Sequence, residues 1–463
     1  GTKAMQYCRV IVDLAADDVD RLFTYRVPEG MTLSPGQRAL VPFGPRKLEG
    51  WVIELTDSPD LDEDRIKDVI RPIEDYPLLL PEMIELARWM KTTCHSTMAA
   101  ALRLMIPSQL RGEHIHEKTV QYARLLIEGD AVSDALVRRR RAKRQVEVLE
   151  RLKDGPLPAS ELNREALKAL EAAGIVQLTE QESLRTPYRA SNGGRTVEPR
   201  PTSAQRAATE RILGAMDSGG GRFLLLGVTG SGKTEVYIRA ARHALDAGRT
   251  AIVLVPEIAL TPQMVDWFRA RFGTDAAVLH SSLTPGERYD EWRRLRTGRA
   301  KVAIGPRSAV FAPLENLGLI VVDEEHEHTY QSDRHPCYDA RDVARFRAAQ
   351  DGAALVLGSA TPSVSSFMRT RPGVKPQNAL ELIDLPERIP GSRLPDVEVI
   401  DMSQEFTKGN RSIFSAKLQD ALSNCLARSH QAILFLNRRG YATFVSCRAC
   451  GHVEKCDACD VSM

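Results

Sequence analysis

Residues 222–235 read RFLLLGVTGSGKTE, and the rest of the chain is organised around this stretch. Its opening run, Phe223-Leu224-Leu225-Leu226, is apolar at every position, as a strand buried on both faces of a parallel sheet must be. The run breaks at Gly227, and residues 227–234 then spell G-x-x-x-x-G-K-T, the phosphate-binding P-loop. Glycines at Gly227, Gly230 and Gly232 let backbone N–H groups curl around phosphate oxygens, and the next helix adds the partial positive charge of its N-terminus. Lys233 is expected to reach the β- and γ-phosphates, and the Thr234 hydroxyl to hold Mg²⁺. A stray match lacks the flanking elements. Here a strand precedes the loop and the helical pattern EVYIRAARHAL follows it, so the stretch reads as a nucleoside-triphosphate site.

Apolar strands alternate with helical segments on the C-terminal side: AIVLVPEIALTPQ (251–263), AAVLH (276–280), KVAIGPRSAVF (301–311), LGLIVVDEEH (317–326) and AALVLGSATPS (353–363). That alternation predicts a doubly wound parallel sheet. The strand 319–322 ends in Asp323-Glu324, which can place one carboxylate on Mg²⁺ and another beside the γ-phosphate to orient or deprotonate water. Against this stands the reading of the pair as plain surface charge. The loop 358–362, GSATP, falls at the ligand-binding edge of such a sheet. Gln205, about one helix before the P-loop strand, carries a paired amide donor and acceptor that can read an adenine edge.

The N-terminal third is short and β-rich, CRVIVDL, FTYRVPEG, QRALVPFG and LEGWVIEL, with turns at Pro28-Glu29-Gly30, Pro35-Gly36 and Phe43-Gly44-Pro45. Residues 79–105 read helical, with Met83, Leu86, Ala87 and Met90 on one face. The next segment holds the densest basic run, RRRRAKR at 138–144, a solvated helix face or a nucleic-acid contact. It continues as helix, Gly155-Pro156 break, helix and a strand-like end, an order that suits a winged helix. Residues 191–200 form a polar linker rich in Gly and Pro. The expected division is therefore 1–112, 113–190, linker 191–200, motor lobe 201–388, and 389–463 as connector, start of a second lobe and cysteine region.

With 463 residues there is room for about three domains. The net charge of +2 excludes neither a polyanion nor a protein partner, since local asymmetry decides that. No apolar run reaches membrane-spanning length and no secretory signal is visible, so the expectation is a cytoplasmic protein with no membrane partner. Of eight cysteines, Cys447, Cys450, Cys456 and Cys459 form two C-x-x-C pairs that supply the four thiolates of a zinc site in a reducing compartment.

Seven segments in order, GVTGSGKTE, LVPEIALTPQ, HSSL with its downstream ER, W and Arg296-x-Gly298, IGPRSAVF, DEEH, GSATPS and LFLNRRGYA, resemble the bacterial replication-restart helicases of the PriA (primosomal protein N′) family in superfamily 2. The resemblance covers essentially the whole chain. It implies a small β-rich domain for the 3′ end of a nascent strand, a winged helix, a RecA-like parallel-sheet lobe, and a truncated second lobe interrupted by zinc-binding cysteines. It implies ATP and Mg²⁺ at Gly230, Gly232, Lys233, Thr234, Asp323 and Glu324, and two zinc ions completed by cysteines past Met463. Phe23, Thr24, Gly44 and Lys67 fall at the family's 3′-end pocket, and Arg307, Tyr330 and Arg341 fall in segments that meet DNA. Implied partners are forked DNA, single-stranded DNA-binding protein, and primosome and helicase-loading proteins, with the chain a monomer. The departures are Thr24, where the family has Asp, Pro306, where it has Thr, and altered residues around Tyr330 and Tyr338 in YQSDRHPCYDARD. Thr24 accepts a hydrogen bond more weakly than a carboxylate. Replication restart by 3′–5′ unwinding is the function implied. A fork-binding scaffold without turnover is the alternative, and a restriction-type translocase fits the P-loop but not the front domain or paired C-x-x-C.

Overall fold

The structure, a computed structural model, describes residues 6–59, 61–110, 119–127, 129–182, 200–388 and 396–435. It forms two compact units, 1–391 and 392–463.

In the first unit, strands β1 (Gln6–Val12), β2 (Phe23–Val27), β3 (Arg38–Phe43), β4 (Arg46–Thr56) and β5 (Arg71–Pro72) make an antiparallel sheet ordered β2-β1-β4-β3-β5. Gly50 in β4 lies so close to β1 that a Cβ there would stand 2.4 Å from Val10 Cγ1. The expected helical stretch is two helices, α1 (Pro81–Thr93) and α2 (Met98–Leu104). They part at Cys94 and His95, the latter left-handed with φ 48, and Thr97 caps the second. Met83, Leu86, Ala87 and Met90 are all buried, as their spacing predicts.

A second sheet, β7-β6-β8, joins β6 (Thr119–Leu125), β7 (Leu157–Pro158) and β8 (Val176–Glu182) with helices α3 (Asp130–Arg138), α4 (Lys143–Leu152) and α5 (Arg164–Ala172). Helix, turn, helix and strand follow in the predicted order. The basic run is not one helix face: Arg138 ends α3, Arg139 to Ala142 turn, and Lys143 begins α4.

The motor lobe opens with α6 (Ser203–Asp217), β9 (Gly221–Gly227), α7 (Lys233–Asp246), β10 (Thr250–Leu254), α8 (Pro262–Phe272), β11 (Ala276–Val278) and α9 (Pro285–Arg296). It continues with β12 (Val302–Gly305), β13 (Leu317–Val322), α10 (Ala340–Asp351), β14 (Ala354–Ser359), α11 (Val364–Met368) and β15 (Glu381–Leu385). Its seven strands run β11-β12-β10-β13-β14-β9-β15, every neighbouring pair parallel. The all-apolar runs follow from two covered faces. Phe223 and Leu225 enter one core with Val236 and Tyr237 of α7, whereas Leu224 enters the other.

That other core does not stop at the lobe. It takes in Met83, Leu86, Met90 and Leu102 of the N-terminal helices and the flanking Leu78 and Met105, together with Trp292, Phe311 and Val343 of the lobe. Trp89 of α1 stacks on Phe346 of α10 at 4.7 Å, and Trp292 Nε1 donates to the Met105 carbonyl at 3.2 Å. Arg296 of α9 donates to the carbonyls of Pro77 and Leu78.

Residues 396–435 contribute α12 (Met402–Thr407) and α13 (Ala416–Ala427), with no buried residue in either. The expected opening strand of a second lobe is unpaired at 431–435, where Ile433 is 95% and Phe435 84% exposed. A buried parallel strand needs neighbours on both sides, and residues 396–435 contain none.

Candidate nucleotide and nucleic-acid sites

The strand order β13-β14-β9 sets the geometry of the first site. Gly227 closes β9 and Asp323 follows β13, two strands apart, or about 10 Å at the usual spacing. The lysine stem bridges that gap: Lys233 Nζ lies 3.6 Å from Glu324 Oε1 and donates to the Gly227 carbonyl at 3.1 Å. Gly230 and Gly232 hold φ of 82 and 79, a left-handed backbone that aims successive N–H groups into the loop. A Cβ on Gly227 would stand 2.6 Å from Ser231 Oγ, so the cradle closes only around glycine. Ser231 Oγ is buried with no partner among the described residues. An orphaned hydroxyl in a glycine cradle at a helix N-terminus fits a phosphate, so the residues present fit a Mg²⁺-nucleotide. Thr234 lies in the first turn of α7, directly after Lys233.

Gln205 differs from expectation. It is buried, its Oε1 accepts from the Thr202 N–H at 2.9 Å, and its Nε2 donates to the Ser231 carbonyl at 2.7 Å. Its amide is engaged within the chain, bracing the P-loop, rather than presented to a base. The capping box at the start of α6 explains this: Gln205 is the third helical residue and reaches back to its cap.

Asp323 is nearly buried, its Oδ1 accepting from Tyr237 Oη at 2.9 Å. Burial, then the adjacent Glu324 charge, push its carboxyl up to about 6, against the pull of Tyr237 and Lys233. Glu324 holds φ 44, a left-handed conformation unusual for a non-glycine residue. His326 Nδ1 lies 2.8 Å from Ser359 Oγ, joining the acidic segment to the GSATP loop. Sequence reasoning missed Tyr237 and Glu325. Tyr237 sits one turn after Lys233, on the face of α7 shared with Ala240, Ala241 and Ala244, so helical spacing was the available signal.

Two residues expected at DNA are placed elsewhere. Tyr330 is completely buried and its hydroxyl donates to the Asp323 carbonyl at 2.6 Å, so its ring is closed to a base. Arg341 pairs with Asp339 at 2.6 Å and donates to the Glu325 carbonyl, which neutralises its charge inside the chain. Arg307, in contrast, lines a cavity of about 810 Å³ with His280, Arg288, Trp292, Tyr338 and, from the N-terminal side, Pro107. Its guanidinium donates to the carbonyls of Thr329 and Gln331 and lies 5.9 Å from the Tyr338 ring centroid.

In the small N-terminal sheet, Phe23 meets Phe43 edge-on at 5.2 Å, and Gly44 follows with φ 57 and open space around it. Arg21 lies over Phe23 at 5.1 Å. Thr24 pairs with Arg9 across the β1–β2 ladder. Lys67 enters through its backbone, its carbonyl accepting from the Arg26 N–H at 2.9 Å, and its side chain is exposed. Cys447, Cys450, Cys456 and Cys459 lie outside the described residues. Among the described residues no group of three or more His, Cys, Asp and Glu could hold a metal, and no helix is long and apolar enough to cross a membrane.

A P-loop at the edge of an all-parallel sheet, with an acidic pair two strands away, defines a RecA-like helicase lobe. The DEAD/DEAH box helicase model matches residues 202–370, and the 3′ DNA-binding domain of PriA matches residues 9–107. The chain is a homologue of the replication restart proteins PriA. It is 36% identical to the one from Bacillus subtilis over 99% of its own length and 65% of that protein. The Synechocystis protein is 35% identical over 99% of this chain and 64% of its own, and that of Haemophilus influenzae 33% over 95% and 60%. The chain thus spans under two thirds of each of these relatives. Among solved structures, RecG bound to a three-way DNA junction is similar over 42% of this chain and 25% of its own, at 26% identity and a TM-score of 0.32.

Proposed function

We propose that this chain supplies the nucleotide site and branched-DNA recognition of a replication restart helicase that unwinds DNA with 3′–5′ polarity. One observation carries the reading: Lys233, Asp323 and Glu324 converge at the sheet edge, beside the loop whose carbonyls engage Arg307 in the cavity. When bound, Mg²⁺ neutralises charge on the transferring phosphoryl group. Lys233 would bind phosphate, Asp323 and Thr234 would hold the metal, and Glu324 would orient or deprotonate the attacking water. The cavity, basic at Arg288 and Arg307, suits the phosphate backbone of a single strand. Phe23, Phe43 and Gly44 offer an aromatic platform beside an open turn for the last base of a 3′ end.

Lys233→Ala in the full-length protein should abolish DNA-stimulated ATP turnover while leaving fork binding nearly intact, and near wild-type turnover removes the nucleotide-site assignment. A fork-binding scaffold is the second reading. It is favoured by residues 396–435, which build no second sheet to close the nucleotide cleft. DNA-stimulated ATPase of this chain beside the full-length protein separates the two. The expected partners are forked DNA, single-stranded DNA-binding protein and helicase-loading proteins. The four C-terminal cysteines are assigned to zinc, two ions in the whole protein, with each pair here half of a site.

A further inference from the structure

Glu325, directly after the Asp323–Glu324 pair, is a fully buried carboxylate. Such a group persists only where hydrogen bonds replace its water. The Ser363 N–H donates to Oε1 at 2.6 Å, and the hydroxyls of Ser363 and Ser366 donate to Oε2 at 3.2 and 2.8 Å. Arg341 stands 4.0 Å away. The backbone is fixed as well: the Glu325 N–H donates to the Gly358 carbonyl at 3.0 Å, and its own carbonyl accepts from Arg341 at 2.6 Å.

The other neighbour of Glu324 is held just as firmly. The Asp323 N–H donates to the Leu254 carbonyl at 2.8 Å, and the Asp323 carbonyl accepts from Tyr330. Between these two anchored residues Glu324 takes its left-handed φ. Strain of that kind, on the order of 1–3 kcal/mol, survives only when the surroundings over-determine it. The side-chain anchor on the far side is Glu325, and it ends on α11, the helix that follows the GSATP loop.

We propose that Glu325 is a positioning residue for nucleotide hydrolysis: it ties the strained turn at Glu324 to Ser363 and Ser366, fixing where the Glu324 carboxylate points and linking that direction to the 358–366 loop. The inference rests on the ATPase reading above. It places no new group on the substrate, since Glu325 acts through Glu324.

The test uses full-length protein carrying Glu325→Ala, Glu325→Gln, Ser366→Ala, the Glu325→Ala/Ser366→Ala pair, and Lys233→Ala as control. DNA-stimulated kcat and KM, affinity for a fluorescent ATP analogue, and the thermal midpoint are measured for each. Glu325→Ala should lower kcat on the order of 10–100-fold, as small misplacements of catalytic groups do. Analogue affinity should stay within about threefold of wild type. Glu325→Gln, which keeps the shape and one accepting oxygen, should recover part of the loss. Ser366→Ala should act in the same direction and add little on top of Glu325→Ala, since both remove one connection. Should Glu325→Ala fail to fold, Glu325→Gln and Ser366→Ala carry the test. The proposal is overturned if Glu325→Ala and Glu325→Gln turn over ATP within about twofold of wild type while Lys233→Ala is inactive. It is also overturned if kcat, affinity and midpoint fall together with no recovery by Gln, which marks plain packing. Normal turnover by Lys233→Ala sinks the ATPase reading itself, and this proposal with it.

Discussion

Asp323 shows how one residue ties burial to chemistry. Its carboxyl, pushed up to about 6 from 3.8, binds a proton more readily in the folded chain than in the unfolded one. For a raised carboxylate the contribution to stability is present below the unfolded value and is lost as pH rises through the folded one. Mg²⁺ reverses the demand, because it needs the ionised form. Affinity for Mg²⁺-nucleotide should therefore fall about tenfold per pH unit below roughly pH 6. Titrations of a fluorescent nucleotide at fixed Mg²⁺ across that range check this, and a flat profile contradicts the placement of Asp323 on the metal. Gly358 sits behind the same carboxylate. A Cβ there would stand 1.7 Å from Tyr237 Oη, whose ring is packed in the core. Gly358→Ala should displace the Tyr237–Asp323 hydrogen bond and destabilise the lobe by about 1–3 kcal/mol. Urea unfolding measures it.

At the scale of elements, α10 fixes the segment that carries Arg307. Arg347 is fully buried and fans its guanidinium onto the carbonyls of Val310, Ala312 and Leu314. Burial lowers it to about 10, so it remains charged at neutral pH. The charges of Asp351 and Glu82 oppose that lowering, and the three carbonyls accept its hydrogen bonds. Arg347→Leu strands those acceptors and should cost about 2–4 kcal/mol. DNA affinity should fall with it, because Arg307 begins the turn that contains Val310 and leads into Ala312 and Leu314. Arg347→Lys keeps the charge but lacks the planar fork, and should recover only part. Unfolding curves and DNA-binding isotherms for both variants decide this, and an Arg347→Leu protein of wild-type stability rejects it.

At the scale of the molecule, the N-terminal sheet and the motor lobe share one apolar core through α1, α2, α9 and α10. Phe23, Phe43 and the P-loop are thus parts of one compact unit. Trp292→Ala removes the indole that packs in this seam and donates to Met105, and should cost about 3–5 kcal/mol. Hydrogen exchange should rise in 98–105 and 285–296 together. A rise confined to α9 breaks the shared-core account. For the C-terminal cysteines the expected result is little zinc on this chain and about two ions per full-length protein, since structural sites close with four protein ligands. One tightly held zinc per chain, lost on mutating any one of the four, contradicts the split.

Local rules were enough for part of this. The P-loop, its flanking strand and helix, the parallel sheet and the acidic pair at 323–324 were legible because spacing and two-sided burial write themselves into consecutive residues. The buried face of α1 was legible for the same reason, through helical periodicity. What the sequence left open depended on contacts between distant segments. Gln205 presents a free amide on paper, and only the meeting of α6 with the P-loop shows it engaged with Ser231. Tyr330 and Arg341 look like exposed ligands of DNA, yet one is buried against Asp323 and the other is paired with Asp339. Glu325 is one more acidic letter until Ser363 and Ser366 are brought to it. A side chain's chemistry is fixed by its covalent structure, but whether it faces water, a ligand or another part of the chain is settled by packing across the sheet, which no local pattern encodes.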